Sequence, residues 1–147
     1  MAKKQGRKPG QFGYLPPQHK FFLNPYQDAR FTRCPKCDRP NKLRKKPLLI
    51  LISPAQPLSL NKTCRYCPNC DILIAHKDDL DELLERICLQ HYPDLVGHDY
   101  LVVGTMERKN WKEGLKIESL DELFQTVHDF KKHVEFEPVR YVWMKED

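Results

Sequence analysis

Several things are scarce in this chain. Its longest apolar run is the LLILI of residues 48–52, far short of the ~20 apolar residues that span a bilayer as a helix. Residues 1–10 are basic but no apolar segment follows them, so a secretory signal is not expected. Glycine is limited to 6 residues, and no phosphate-binding glycine loop or nucleophile elbow occurs. The six histidines, His19, His76, His91, His98, His128 and His133, form no His-x3-His pair. Acid is nearly missing from the first 70 residues, which hold only Asp28 and Asp38. These gaps leave hydrolytic, nucleotide-cradling and membrane-spanning roles without support. A cytoplasmic protein in a reducing compartment is the expectation, where clustered cysteines bind metal more often than they form disulfides.

The scarcity of acid is one-sided. Residues 1–70 carry 15 Lys/Arg, a balance of +13, whereas residues 71–147 carry 18 Asp/Glu against 10 Lys/Arg, a balance of −8. A basic front and an acidic back imply either two surfaces with different partners or two surfaces that meet each other. Three segments are expected: a basic flexible arm over 1–18, a cysteine-bearing unit over 19–77 and an acidic α+β body over 78–147. The arm mixes Lys3, Lys4, Arg7 and Lys8 with glycine and proline and has little to bury. The aromatics that follow, among them Phe21, Phe22, Tyr26 and Phe31, are read as packing on the body in preference to stacking on bases.

Between Phe31 and Lys77 the pattern is short strands (PLLILIS, SLNKTCRY, DILIAH), with Pro47, Pro54, Pro57 and Asn61–Lys62 as turns. From Asp78 the period becomes helical, with Leu80, Leu83, Leu84, Ile87 and Cys88 on one face and acids in the first turn. DYLVVGTM reads as a strand. SLDELFQTVHDFKK reads as a second helix opened by a Ser119-x-x-Glu122 capping box, with Leu120, Leu123, Phe124 and Val127 on one face. VEFEPVRYVWMK closes the chain as one strand or two, broken at Pro138.

The phrase Cys-Pro-x-Cys-Asp occurs twice, at Cys34–Cys37 and Cys67–Cys70. A two-residue gap lets one tight turn aim two sulfurs at a single ion, and backbone N–H groups of that turn can donate to them. Cys64 also stands two residues before Cys67, but Cys64-Arg-Tyr-Cys67 lacks the proline. Cys34, Cys37, Cys67 and Cys70 are therefore the expected set over one containing Cys64. Cys88 is expected in the core. Residues 31–77, about a third of the chain, resemble the zinc-ribbon superfamily. The resemblance implies one structural Zn(2+) per chain, with no open coordination position for catalysis. Rubredoxin has similar ligand spacing and would mean iron, but rubredoxins are acidic and pack aromatics beside the metal, whereas this loop is basic and offers only Tyr66. Thiol–disulfide exchange needs a cysteine at a helix N-terminus, and no helix starts at either pair. A cluster on Cys64, Cys67 and Cys70 lacks the fuller spacing of iron–sulfur sites.

Arg39, Lys42, Arg44, Lys45 and Lys46 follow the first pair within eight residues, an electrostatic footprint suited to phosphates. The bland alternative is a solvated strand edge, where lysines block unwanted pairing. The expected function is a non-enzymatic zinc protein contacting RNA or ribosomal nucleic acid through its basic half. The alternative is a zinc-stapled adaptor that docks a protein partner on its acidic half, and a rubredoxin-like electron carrier stands third.

Overall fold

The computed structural model describes residues 11–107 and 120–138. The aromatic stretch KFFLN forms β1 (Lys20–Asn24). The apolar run lies in the far half of β2 (Lys42–Ile52), and a turn leads into β3 (Gln56–Cys67). β4 (Ile72–His76) passes without a loop into α1 (Lys77–His91), whose first turn holds Asp78 and Asp79 where the helix dipole favours acid. Pro93 closes that helix with a 3-10 turn, Pro93–Leu95. β5 (Tyr100–Met106), α2 (Leu120–Phe124), β6 (Val127–Asp129) and β7 (Lys132–His133) complete the described elements.

The strands join in one mixed sheet of order β6-β5-β2-β3-β4-β1-β7. β1 runs parallel to both of its neighbours, β4 and β7, and the other pairs are antiparallel. The α+β expectation holds at this level. Strand alternation sorts the core. One face carries Phe21, Leu48, Ile50, Leu73 and Ala75 under Leu80, Leu84 and Cys88 of α1. The opposite face carries two patches. One joins Leu49, Val103 and Val127 to Leu123 and Phe124 of α2, and the other joins Phe22, Ile72 and Ile74 to the cysteines.

The structure departs from the sequence reading in four places. Pro47 and Asn61–Lys62 are not turns, because β2 and β3 run through them, with Pro47 opposite Asn61. Among the described residues, β5 pairs with β2 only from Leu48 onward, so Pro47 interrupts no described ladder on that side. The second helix ends at Phe124 instead of running on through the lysines. Thr126 folds its N–H and its hydroxyl back onto the Leu123 carbonyl, at 3.0 and 2.8 Å, and Val127 turns into the sheet beside β5. The proposed capping residue Ser119 and the closing segment beyond Pro138 lie outside the described residues. Leu83 is only partly buried, at the margin of the core that Leu84 occupies.

The fourth departure concerns the described end of the expected arm, since residues 1–10 lie outside the described residues. Residues 11–18 are held against β6 and α2 by three backbone bonds: Tyr14 N–H to the Phe124 carbonyl, Leu15 to Val127 and Gln18 to Asp129. Asp129 also accepts the N–H of Phe12 at 2.8 Å and that of Gly13 at 2.5 Å. Gly13 is required by close approach, since a Cβ there would lie 2.1 Å from the Val127 carbonyl oxygen. Among the described residues, no helix is long and apolar enough to cross a membrane.

Candidate metal centre and basic surface

The repeated phrase folds twice into one shape. In the loop between β1 and β2, the Asp38 N–H closes a turn onto the Cys34 carbonyl at 2.8 Å. Between β3 and β4, Asp71 does the same to Cys67 at 2.7 Å. Both aspartates occupy the left-handed region, with φ of 66° and 59°. Glycine is the usual residue there, and Asp is among the few others that tolerate it. Each turn points an N–H at its first sulfur: Lys36 to Cys34 Sγ at 3.3 Å, and Cys70 to Cys67 Sγ at 3.4 Å.

The two turns face each other, and the sulfurs of Cys34, Cys37, Cys67 and Cys70 all lie within 4.8 Å of one another. Cys37 and Cys67 are 3.6 Å apart, close to the ~3.8 Å edge of a tetrahedron with Zn–S bonds of ~2.3 Å. The donor set therefore fits a tetrahedral ion. Cys34 and Cys67 are buried, while Cys37 and Cys70 are half-buried. Burial pushes the thiols of Cys34, Cys67 and Cys70 above their ordinary value. The Arg39 N–H instead draws Cys37 down to about 6. Buried sulfurs that resist ionisation alone ionise together when a cation offsets their charge.

Cys64 takes no part. It lies three residues before Cys67 on one strand, an odd separation that puts it on the opposite face of the sheet, in the α1 core. Its thiol donates to the Lys62 carbonyl at 3.5 Å, and burial pushes it up to about 12. Cys88, a residue of α1 itself, is likewise buried in that core.

Two features of the centre escaped the sequence reading. The first is its aromatic wall. Tyr66 packs with the α1-side core, whereas Phe22, Phe31 and Phe136 pack with the cysteines. Phe31 and Phe136 stand edge-on to Phe22, with centroids at 5.2 and 5.5 Å. Phe22 and Phe31 precede the first cysteine turn, but Phe136 comes from more than a hundred residues later in the chain, so cysteine spacing could not show the wall. The second is Asp71. It accepts hydrogen bonds from His19 Nδ1 at 2.6 Å, the Tyr66 hydroxyl at 2.7 Å and Lys131 Nζ at 3.1 Å. Burial pushes its carboxyl up, but these three donors outweigh that and hold it down at about 2. The carboxylate of its counterpart Asp38 is exposed and, among the described residues, meets Arg33 only.

The basic residues fall into two groups. Arg39 sits in the loop after the first turn, whereas Lys42, Arg44, Lys45 and Lys46 lie on the half of β2 that, among the described residues, has only β3 as a strand neighbour. Alternation puts Lys42, Arg44 and Lys46 on the α1 face, and Lys62, opposite Lys46, joins them. Lys45 lies on the other face together with Arg65. Among the described residues, no carboxylate lies within ion-pair distance of Lys42, Arg44, Lys46 or Lys62.

A half-open cleft of about 500 Å³ lies between α1 and the start of β5, floored by Leu23, Ile52, Leu84 and Cys88. Asp81 on its wall is engaged by Lys77 Nζ at 2.8 Å and the Tyr100 hydroxyl at 2.6 Å, which ties the helix to the sheet.

Comparisons were made with protein-family models, with curated proteins and with solved structures. The chain matches none of them. Its functional reading therefore rests on the four-cysteine cluster, which is able to hold a metal ion, and on the surface beside it.

Proposed function

We propose that this is a non-catalytic metal-stapled protein in which one structural Zn(2+), held by Cys34, Cys37, Cys67 and Cys70, fixes a cationic strand for contact with nucleic-acid phosphates. The observation that carries the reading is the row Lys42, Arg44, Lys46 and Lys62, which has no acidic partner among the described residues. The cysteine turns stand at the ends of the strands that bear it. The first turn leads into Lys42, whose β3 partner is Tyr66, and the second begins at Cys67, the next residue. A bound ion clamps the open end of this strand pair and holds the cations in register. Four thiolates fill a tetrahedral ion, so the metal's contribution is folding energy, not a reactive water.

Among the described residues, no carboxylate of the acidic half pairs with this row. The ion pairs of α1 go to Arg30 and to its own Lys77. That favours an external anion over masking within the chain, and over the adaptor reading in which the acidic half carries the function. The test is purification at low salt. Nucleic acid should travel with the protein and leave on a salt wash, and protein free of nucleic acid at every salt concentration would overturn the reading.

The aromatic wall favours a second reading of the metal. Phe22, Phe31 and Phe136 supply the apolar packing whose expected absence argued against a rubredoxin-like iron site. Elemental analysis separates the two: stoichiometric zinc in a colourless protein supports the staple, and stoichiometric iron in a red one supports electron transfer.

A further inference from the structure

The cationic row is a single line, and its surroundings say what form of nucleic acid it accepts. Lys42, Arg44 and Lys46 alternate along one strand, so their Cα atoms follow one another at ~6.7 Å and the line spans ~13 Å. That spacing resembles the step between successive phosphates of an extended nucleic-acid strand. Lys62 stands across from Lys46 on β3 and broadens the end of the line. The same face of the sheet becomes core at Leu48, which belongs to the cluster that holds Leu80, Leu84 and Cys88 of α1. A helix is ~10 Å across, so α1 stands as a wall on this face. Its solvent side carries the exposed acids Asp79, Glu82 and Glu85.

We infer that the ligand is a single strand laid along β2 with its backbone on Lys42, Arg44 and Lys46, and that duplexes are rejected. This rests on the nucleic-acid reading above and narrows it. A duplex carries a second phosphate backbone. Seated on this row, it meets the bulk and the carboxylates of α1. A single strand occupies the row alone and bends away where the wall begins. Tyr66, the aromatic beside Lys42, gives its hydroxyl to Asp71 and packs in the core. The row therefore offers charge without a stacking platform, and binding is indifferent to base sequence.

The experiment measures fluorescence anisotropy of the full-length, metal-loaded protein with a labelled oligouridylate and with an RNA duplex of equal length. Three to four phosphate contacts give a log–log salt slope of about −2 to −3, so single-strand binding weakens about twenty- to fifty-fold between 50 and 200 mM salt. The duplex is expected to bind at least ~10-fold more weakly than the single strand despite its higher charge density. The triple variant Lys42→Gln, Arg44→Gln, Lys46→Gln should lose most of the salt slope. A control with the same charge change, Arg30→Gln, Arg86→Gln, Lys132→Gln, should keep it, and metal content reports folding in both.

Equal or tighter duplex binding would overturn the single-strand inference and leave the nucleic-acid reading intact. A control variant as impaired as the row variant would overturn the placement on β2. Absence of binding to either RNA at 50 mM salt would remove the nucleic-acid reading itself.

Discussion

Replacing Asp71 with Asn and Asp38 with Asn tests whether two copies of one sequence phrase do different work. Both positions have left-handed backbone, which Asn tolerates as well as Asp, so each change removes a carboxylate without adding strain. The Asp71 carboxyl is held at about 2 against an ordinary 3.8, which corresponds to at most about 2.5 kcal/mol of stability at neutral pH. Its side chain is 31% exposed, and solvent screening reduces the expected loss to about 1–2 kcal/mol. In a chain of this size that is a fall in Tm of about 3–8 °C. Asp38 is 86% exposed and has one ion-pair partner at 3.3 Å, so its replacement should stay within about 0.5 kcal/mol. The sign with pH follows from the depressed value. The Asp71 contribution is full above pH 3.8 and is lost as pH falls through about 2. Cysteine protonation releases metal above that window, so the comparison belongs at neutral pH, by urea unfolding of both variants with metal content matched. Equal losses at the two sites would refute the argument that His19, Tyr66 and Lys131 give Asp71 its distinct role.

Cys67→Ser should abolish stoichiometric metal binding, whereas Cys64→Ser should leave metal content unchanged; elemental analysis of both proteins checks the choice of ligands. Stripping the metal with a strong chelator should weaken binding to single-stranded RNA, because the ends of β2 and β3 fray, and re-addition of zinc should restore it. Unchanged binding after stripping would show that the cations hold their register without the clamp. Leu84→Ala should cost about 2–5 kcal/mol as a core cavity, and Leu83→Ala clearly less, by urea unfolding. Gly13→Ala should release the strap of residues 11–18 from β6, seen as faster amide exchange at Tyr14 and Leu15 without metal loss.

Much of the fold and the grouping of four cysteines able to hold a metal ion were legible in the sequence, for physical reasons. The LLILI run and ILIAH are buried on both faces and so read as strands without alternation. The cysteine turns are local, and a repeated proline marked which cysteines share a geometry. What could not be read depended on distant partners. β1 is a buried strand because β4 and β7 flank it, and nothing in KFFLN names either neighbour. Leu120 to Val127 has a helical period, yet Val127 turns to the sheet because β5 offers it a ladder. Asp38 and Asp71 are identical in their phrase and differ only in what the fold brings near. The aromatic wall of the metal centre was hidden for the same reason, since Phe22 and Phe136 converge only once β1 is in place.

The position of β1 sets an order of events during synthesis. Residues 20–24 are made early, but one of their two neighbours in the sheet is residues 132–133. The segment of residues 11–18 likewise waits for β6. By contrast, everything needed to gather the four sulfurs lies within β2, β3, β4 and the turns beside them, all of which precede β5, α2, β6 and β7 in the chain. A nascent chain is therefore able to bring the four sulfurs together, and any ion they hold, before the sheet is complete. It must keep Phe21 and Phe22 from competing partners until the last strand arrives. A truncated or stalled product would carry the complete four-cysteine cluster beside an unfinished sheet with exposed aromatics, a combination that invites aggregation.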